Sequence, residues 1–214
     1  MNLFSEYLKS IKVLPGRKAH LELAPRIKNK PVVERFKEPP ENHRKAATSI
    51  IINEEDKEPY VLLVLRKGSL KYHPYEWGFP GGANEQGETL LQTALRELKE
   101  ETSINENHLK LIKPVSELYI PVSNFKVKPY SFVIKEIPGI TISPEELVAY
   151  KWINLKKLLQ TPKTVKTVKR KIFGNTYDIN FPAWEIDKNY PPLWGATAMM
   201  TNELLHIYKQ FLQK

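Results

Sequence analysis

The amino-acid sequence predicts an α/β (α+β) protein in which helices flank a mixed β-sheet. Segments rich in β-forming residues recur along the chain, at 47–52, 60–66, 109–122, 126–137, 150–155 and 171–181. An amphipathic helix is predicted at about 89–102, and two others at 3–12 and about 197–212, from apolar residues that recur at helical spacing. Because strands surround one central helix, we expect a mixed sheet covered by helices.

Length and composition limit the class of protein. A chain of 214 residues predicts one domain over 1–214, with an N-terminal helix and an extended arm reaching about residue 45. The absence of cysteine excludes disulfides, zinc–thiolate sites and cysteine nucleophiles. The N-terminus does not resemble a signal peptide, and the longest apolar run, at 60–65, is too short to cross a bilayer. These features favour a cytoplasmic protein without a membrane partner.

The positive charge is concentrated in one segment. The chain has a formal net charge of +9. Eight basic residues and no acidic residue fall between 151 and 177: Lys151, Lys156, Lys157, Lys163, Lys166, Lys169, Arg170 and Lys171. This segment is either a solvated hairpin face or a surface that attracts a polyanion. Nucleic acid is one such polyanion, and a small substrate with several phosphates is another.

Acidic residues gather instead around the predicted central helix, at Glu85, Glu88, Glu97, Glu100 and Glu101. The last three are spaced i, i+3 and i+4, so they share one arc of the helix and repel one another by a few tenths of a kcal/mol per pair. A hard divalent cation would compensate this repulsion, since carboxylate oxygens suit Mg²⁺ or Mn²⁺. The alternative is a solvated acidic face paired with lysines.

The neighbouring residues favour the metal site. Gly81 and Gly82, directly before the helix, let the backbone approach a ligand or a metal closely. Glu88 lies eight positions before Arg96, where it can hold the guanidinium by a two-pronged ion pair. A glycine turn, an ion pair and three acids on one face together predict a functional site.

This region resembles the Nudix box. From Gly82 the chain reads G-x5-E-x7-R-E-U-x-E-E-x-S-U, where U is a bulky aliphatic residue, and only Ser103 departs, from the family's glycine. The matching positions are Gly82, Glu88, Arg96, Glu97, Leu98, Glu100, Glu101 and Ile104. Glycine at 103 would suit a left-handed helix end, where serine costs roughly 1 kcal/mol. The substitution therefore concerns the turn and not the metal site.

The resemblance implies a Nudix hydrolase, with an α/β/α sandwich, a mixed β-sheet and a central catalytic loop and helix. Such enzymes split a nucleoside diphosphate linked to another moiety, with Mg²⁺ or Mn²⁺ as cofactor. The implied metal ligands are the Gly81 carbonyl, Glu97, Glu100 and Glu101. Arg96 and Glu88 would orient these ligands, and a later loop offers a general base, Glu146 in preference to Glu145. Each of the last two could equally be an exposed acid at a helix start.

The segment before the box resembles the signature of the coenzyme A pyrophosphatase branch of this family. Leu62, Leu63, Arg66 and the run Phe79–Gly82 match that signature. Four interior positions depart from it, at Val64, Lys67, Lys71 and Tyr75. Lys71 keeps the positive charge of the expected arginine but not its bidentate fork. Residues 14–25 and 193–200 also look like the N-terminal arm and the closing motif of that branch.

The resemblance therefore implies hydrolysis of the diphosphate bond of coenzyme A or a derivative, with Arg66 and Lys71 as substrate-binding residues. The products would be adenosine 3′,5′-bisphosphate and a phosphopantetheine. Three alternatives stay open: a pyrophosphatase for ADP-ribose or NADH, an RNA-processing enzyme, and a catalytically silent ligand sensor. We expect a small-molecule partner rather than nucleic acid, and a homodimer is compatible with the sequence.

Overall fold

The computed structural model describes residues 3–27, 30–31, 38–70, 72–172 and 175–214. Its main sheet contains eight strands: β3 (Arg44–Glu55), β4 (Glu58–Arg66), β5 (Trp77–Gly78), β6 (Gly81–Ala83), β7 (Leu109–Pro114), β8 (Leu118–Ile120), β9 (Phe125–Ile134) and β10 (Leu147–Asn154). The strand order is β10-β4-β3-β9-β7, with β5 paired to β4, β6 to β3 and β8 to β9. Only β3 and β9 pair in parallel, so the described sheet is mixed, as predicted.

A second, smaller sheet has the order β11-β12-β1-β2. Its strands are β1 (Arg26–Ile27), β2 (Lys30–Pro31), β11 (Thr164–Ile172) and β12 (Asn175–Ala183). The α-helices are α1 (Phe4–Ser10), α2 (Arg17–Leu23), α3 (Leu90–Thr102), α4 (Leu155–Gln160) and α5 (Gly195–Phe211), and a 3₁₀ turn covers Glu106–His108. Within the described ranges, none of the helices has both the length and the apolar character needed to cross a membrane.

Strand β3 separates two hydrophobic cores because its side chains alternate between the two faces of the sheet. Ile51 packs with Leu98 of α3 and with Phe132 of β9. Ile50 and Ile52 point to the opposite face, where they belong to the larger core together with residues of α1, α2 and α5. The sheet is thus covered by α3 on one face and by the terminal helices on the other. This arrangement confirms the expected α/β/α sandwich.

A buried carboxylate ties the terminal helices to the sheet. Glu203 of α5 has no exposed surface. It accepts hydrogen bonds from the Gly16 amide (3.0 Å), from Nε2 of His20 (3.2 Å) and from Oγ of Ser116 (2.6 Å). Burial raises the pKa of Glu203, but the hydrogen bonds from His20 and Ser116 outweigh this effect and hold the pKa below its ordinary value. The ionised side chain therefore cross-links three segments.

Two sequence-based expectations about local structure were wrong. Helix α2 was missed, because Pro15-Gly16 was interpreted as the end of the first helix and residues from 23 onward as an extended arm. The described part of that arm contains β1 and β2, and residues 28–29 and 32–37 lie outside the described ranges. Strands β11 and β12 form the expected hairpin, but Ile172 pairs with Asn175. A two-residue turn was expected at Gly174-Asn175 from these residue types; position 174 lies outside the described residues, and Asn175 belongs to β12.

Candidate metal and substrate site

The glycine turn brings the backbone into contact with helix α3. The Gly81 amide donates a hydrogen bond of 3.0 Å to Oε2 of Glu101. A Cβ at position 81 would lie 2.3 Å from the carbonyl oxygen of Ala47 on β3, so glycine is required there. At Gly82, a Cβ would lie 2.3 Å from Oε1 of Glu97. Both glycines thus permit close contact between this turn, β3 and two of the helix carboxylates.

Local sequence signals define both ends of α3. Thr89 and Gln92 form a capping box, in which the Thr89 hydroxyl accepts from the Gln92 amide and the Gln92 side chain accepts from the Thr89 amide. At the other end, Ser103 has φ 62° and ψ 10°, the left-handed conformation expected for the glycine of the box. Its hydroxyl donates to the Thr141 carbonyl at 3.2 Å. Serine therefore retains the turn and adds a contact to the following loop.

Arg96 organises the carboxylates beside the glycine turn. Its Nε and Nη2 donate to Oε2 and Oε1 of Glu88 at 3.2 and 3.0 Å, the two-pronged ion pair predicted from the spacing. Its Nη1 donates to Oε1 of Glu97 at 2.9 Å and to Oε2 of Glu100 at 3.0 Å. The hydrogen bonds from Arg96 lower the pKa of Glu88 to about 2. Glu88 is therefore ionised at neutral pH and fixes the guanidinium.

Glu101 is a buried acid whose negative charge is only weakly compensated by nearby positive charge. Its side chain is 2% exposed, and Nη1 of Arg66 lies 3.5 Å from Oε1. Burial raises the pKa of Glu101 to about 8, against the opposing effects of Arg66 and of the Gly81 amide. The charges of Glu97 and Glu146 contribute to this increase in pKa. The negative charge at this position lacks a strong cationic partner among the described residues.

The other predicted acids surround Glu101. Burial raises the pKa of Glu97 as well, with contributions from the charges of Glu100 and Glu146. The side chain of Glu100 is 58% exposed at the outer edge of the cluster, and Glu146 is exposed in the turn before β10. The charges of Glu97, Glu100, Glu101 and Glu146, four of the acids that the sequence singled out, thus influence one another in the structure.

These acids do not form a preassembled metal cage. Within the described ranges, no three histidine or acidic side chains converge closely enough to enclose a metal ion. Nη1 of Arg96 instead bridges Glu97 and Glu100. The donor set nevertheless fits a divalent cation, because a positive ion beside Glu97 and Glu101 would offset the unfavourable burial of these two carboxylates. The predicted ligand set, including the Gly81 carbonyl, stays a prediction.

A cavity of about 650 Å³ opens beside the glycine turn. Arg66, Gly81 and Gly82 line the end next to Glu101. The other walls contain aromatic residues from distant parts of the chain: Tyr72, Trp77, Phe79, Phe125, Phe181 and Trp194. Arg66, one of the two predicted substrate-binding residues, lines this cavity, whereas Lys71 falls outside the described residues.

The described side chains of the basic segment at 151–171 argue against a role in this cavity, although the sequence left open that the segment attracts a substrate with several phosphates. None of its described side chains lines the cavity. Four of the lysines instead form salt bridges with acids from other segments: Lys151–Asp187, Lys156–Glu58, Lys163–Glu22 and Lys166–Glu185. Much of the excess charge in this segment is therefore balanced within the protein.

The aromatic walls are the part of the site that sequence reasoning missed. Trp194 was interpreted as a core residue or as part of a closing motif, and Phe181 was not considered. The only local signal was the alternation in β12, which places Ile179 and Phe181 on one face of the strand. Their position beside the glycine turn depends on the packing of β12 and α5, which no short motif reports.

Comparison with known proteins agrees with this geometry. A family model described as the NUDIX domain matches residues 42–174, more than half of the chain. The chain belongs to the Nudix domain family. The matched region contains the glycine turn, α3 and Glu146, but neither β12 nor α5.

Individual relatives of this Nudix protein are distant. It is 27% identical over 158 residues to the peroxisomal coenzyme A diphosphatase ndx-8 of Caenorhabditis elegans, a match that covers 72% of this chain. That match spans 64% of the worm protein, less than two thirds of its length. An uncharacterized Nudix hydrolase, NudL of Enterobacter sp. (strain 638), is 31% identical over 168 residues, with 76% of this chain and 82% of the relative covered.

The fold is shared with solved structures. The crystal structure of the Nudix hydrolase RenU from M. smegmatis superposes with a TM-score of 0.54 at 16% identity. That superposition covers 78% of this chain and 87% of RenU. The similarity confirms the Nudix fold.

Proposed function

We propose that this protein is a metal-dependent diphosphatase that hydrolyses coenzyme A or a derivative to adenosine 3′,5′-bisphosphate and the corresponding phosphopantetheine. The observation that carries the proposal is the buried Glu101, held by the Gly81 amide at 3.0 Å at one end of a large cavity. The flanking acids and Arg66 place groups suited to a metal and to a phosphate at the same end. The similarity to the worm coenzyme A diphosphatase supports the choice of substrate.

In this proposal Glu97, Glu100, Glu101 and the Gly81 carbonyl hold Mg²⁺ or Mn²⁺. A bound divalent cation would neutralise charge on the diphosphate and make water a better nucleophile. Arg96 is a positioning residue, because its hydrogen bonds to Glu97 and Glu100 fix two of the proposed ligands. Glu88 acts through Arg96, whose guanidinium it holds with two hydrogen bonds.

Two further roles complete the proposed reaction. Arg66 lines the cavity next to Glu101, so its guanidinium is placed to bind a diphosphate oxygen. Lys71, which lies outside the described residues, is retained as the second substrate-binding residue and would contribute a further positive charge. Glu146 is our candidate for the general base, because it is exposed and its charge acts on both Glu97 and Glu101. Glu145 is the alternative in the same turn.

The same observations weigh against the alternatives. An RNA substrate would need a basic surface, and four lysines of the basic segment are paired with acids. A ligand sensor would not need the buried acid beside the glycine turn. We retain a small-molecule substrate, a cytoplasmic location and a homodimer as predictions, although the name of the worm relative places that protein in peroxisomes.

The test is incubation with coenzyme A in the presence of Mg²⁺ or Mn²⁺, followed by mass analysis of the products. We expect adenosine 3′,5′-bisphosphate and phosphopantetheine, and no products in excess EDTA. ADP-ribose and NADH are assayed at equal concentration. Far faster turnover of either compound would contradict the substrate. Binding of coenzyme A without turnover would instead indicate a sensor, and full activity in EDTA would contradict the metal.

A further inference from the structure

The cavity has one wall that comes from outside the region matched to the Nudix domain. Ile179 and Phe181 lie on β12, and Trp194 and Ala196 lie at the start of α5. The matched region ends at residue 174. This wall, called here the C-terminal wall and defined by these four residues, is therefore an addition of this chain to the matched domain.

The C-terminal wall is apolar and tightly packed. Ile179 and Phe181 are 8% and 6% exposed. The rings of Phe181 and Trp194 meet edge to face, with centroids 4.5 Å apart and an angle of 72° between the planes. Such contacts fix aromatic rings in position. The wall thus offers a preformed apolar surface rather than a flexible one.

Positive charge is scarce in this cavity. Among the described residues that line it, the basic side chains are Arg44, Arg66 and His73. Arg66 lies beside Glu101, and His73 hydrogen-bonds to Glu76 through Nδ1 at 3.0 Å. The guanidinium of Arg44 lies 4.2 Å from the centroid of the Phe125 ring. None of these cations belongs to the C-terminal wall.

The distribution of charge decides which end of a coenzyme A-like substrate fits this wall. The nucleotide end carries a 3′-phosphate, which would lose its hydration against Ile179, Phe181 and Trp194, and none of these three side chains offers a positive charge in return. The pantetheine arm is uncharged, and an acyl group attached to it is apolar. Burial of this arm removes apolar surface of both the wall and the substrate from water.

We propose that the C-terminal wall binds the uncharged arm of the substrate and that an acyl group on this arm increases the specificity of the enzyme. Ile179, Phe181 and Trp194 are then specificity-determining residues. This inference rests on the proposed function, because it assigns an orientation to the substrate of that reaction.

The first experiment measures kcat/KM for free coenzyme A and for its butanoyl, octanoyl and dodecanoyl thioesters. We expect kcat/KM to increase with chain length, by about tenfold between free and octanoyl coenzyme A, because each buried methylene contributes to binding. Phe181→Ala should lower kcat/KM for the octanoyl thioester about tenfold more than for free coenzyme A. Equal losses for all substrates, or no dependence on chain length, would overturn the proposal.

The second experiment tests the orientation by direct binding. Octanoyl-phosphopantetheine and adenosine 3′,5′-bisphosphate are titrated separately in EDTA, with tryptophan fluorescence and calorimetry as readouts. Phe181→Ala should weaken binding of the octanoyl ligand about tenfold and that of the bisphosphate less than about twofold. The reverse pattern would place the nucleotide on the C-terminal wall and overturn the inference.

Two further variants test whether the effects of Phe181→Ala come from the wall and not from a general loss of structure. Val165→Ala removes a 64% exposed side chain from the same hairpin, away from the cavity, and should leave all rates unchanged. Ala196→Leu adds volume at the C-terminal wall without removing a core side chain, and should reduce the preference for octanoyl coenzyme A. If the unsubstituted protein hydrolyses no coenzyme A compound, the proposed function fails. The binding titrations still decide the inference in that case.

Discussion

The backbone amide of Gly81 donates a hydrogen bond of 3.0 Å to Oε2 of the buried Glu101. These residues are twenty positions apart, and the bond closes the glycine turn against the last turn of α3. It also uses one oxygen of a carboxylate that is 2% exposed. Among the described residues, the charged partner of the second oxygen is Arg66, at 3.5 Å. Burial raises the pKa of Glu101 to about 8, so ionisation of this carboxyl is unfavourable where we propose a metal.

Replacement of Glu101 by glutamine should separate the roles of charge and shape. Glu101→Gln keeps the size of the side chain and removes one negative charge from the proposed ligand set. We expect kcat/KM to fall by about a hundredfold or more, because the metal supplies several kcal/mol of transition-state stabilisation. Folding should be retained, because burial raises the pKa of Glu101 to about 8 and glutamine resembles the protonated carboxyl in size and polarity. Rates, calorimetric Mg²⁺ binding and thermal melts are the measurements.

Glu85→Gln is the matched control for that prediction. Glu85 is 72% exposed, and Oε1 lies 4.0 Å from Nη2 of Arg96, at the edge of the acidic cluster. Its substitution should reduce the rate far less than that of Glu101. Similar small losses in both variants would mean that the acids of α3 form only a solvated face.

Alanine substitutions at the two glycines should have different effects. At Gly81 a Cβ would lie 2.3 Å from the Ala47 carbonyl oxygen and 2.7 Å from Cα of Thr48. These backbone atoms cannot move freely, so Gly81→Ala should lower the free energy of unfolding by about 2 kcal/mol or more. At Gly82 the clash is with the carboxylate of Glu97, the end of a flexible side chain. Gly82→Ala should therefore fold but displace Glu97, with a rate loss of about a hundredfold.

Denaturant unfolding and steady-state kinetics of these two variants provide the measurements. The expectation for Gly82 is contradicted if Gly82→Ala keeps the full rate, because Glu97 would then not need its observed position. Comparable loss of stability in both variants would show that the turn has no freedom at either glycine.

Ser103 should tolerate glycine better than alanine. Its φ of 62° costs an L-residue about 1 kcal/mol, and its hydroxyl partly offsets this cost by donating to the Thr141 carbonyl. Ser103→Ala keeps the strain and loses the hydrogen bond, so we expect a loss of about 1 kcal/mol in the free energy of unfolding. Ser103→Gly relieves the strain and should change stability by less than about 0.5 kcal/mol. Urea titrations of the three proteins are the measurement, and a larger loss in the glycine variant would contradict the argument.

Glu203 should make stability dependent on pH in the acidic range. Its pKa is lowered in the folded protein, so its contribution is present above the ordinary value of 4.5 and is lost as the pH falls through the folded value. We expect Glu203→Gln to lower the free energy of unfolding by about 3 kcal/mol at pH 7, because Gly16, His20 and Ser116 lose a charged acceptor. The difference from the unsubstituted protein should shrink below pH 4.5.

Unfolding of both proteins between pH 3 and pH 7 (a range of about four units) tests this linkage. Glu6→Gln, an exposed position on α1, is the control and should show no such dependence. A constant difference between Glu203→Gln and the unsubstituted protein across the range would mean that the carboxylate is not ionised in the fold.

The sequence predicted the parts of the site that are local, and it missed those that depend on distant contacts. The spacing of Glu88 and Arg96 predicted their ion pair, because both residues lie in one loop and helix whose geometry is regular. The family motif has glycine where this chain has Ser103, and that glycine predicted the left-handed turn for the same reason. Both features depend on backbone geometry within about one segment of twenty residues.

Local patterns in the sequence did not predict the C-terminal wall or the salt bridges of the basic segment. Trp194 and Phe181 meet only after α5 and β12 have packed together, and the alternation of a single strand does not say what it faces. The lysines at 151 and 156 are neutralised by Asp187 and Glu58, whose proximity depends on the fold. Helix α2, of seven residues, is short enough that its flanking prolines dominated the local signal.

The parallel pairing of β3 with β9 has a consequence for how the protein acquires its site. Arg44 pairs with Phe125 and Asn53 with Ile134, so the glycine turn and α3 lie within the crossover that joins these two strands. Such non-local pairing slows folding, because a long loop must close before the contacts form. During synthesis, α3 cannot complete its packing against Phe132 until residue 134 has left the ribosome. A nascent chain that ends before β9 therefore carries Glu97, Glu100 and Glu101 but neither Glu146 nor Phe132, against which α3 packs.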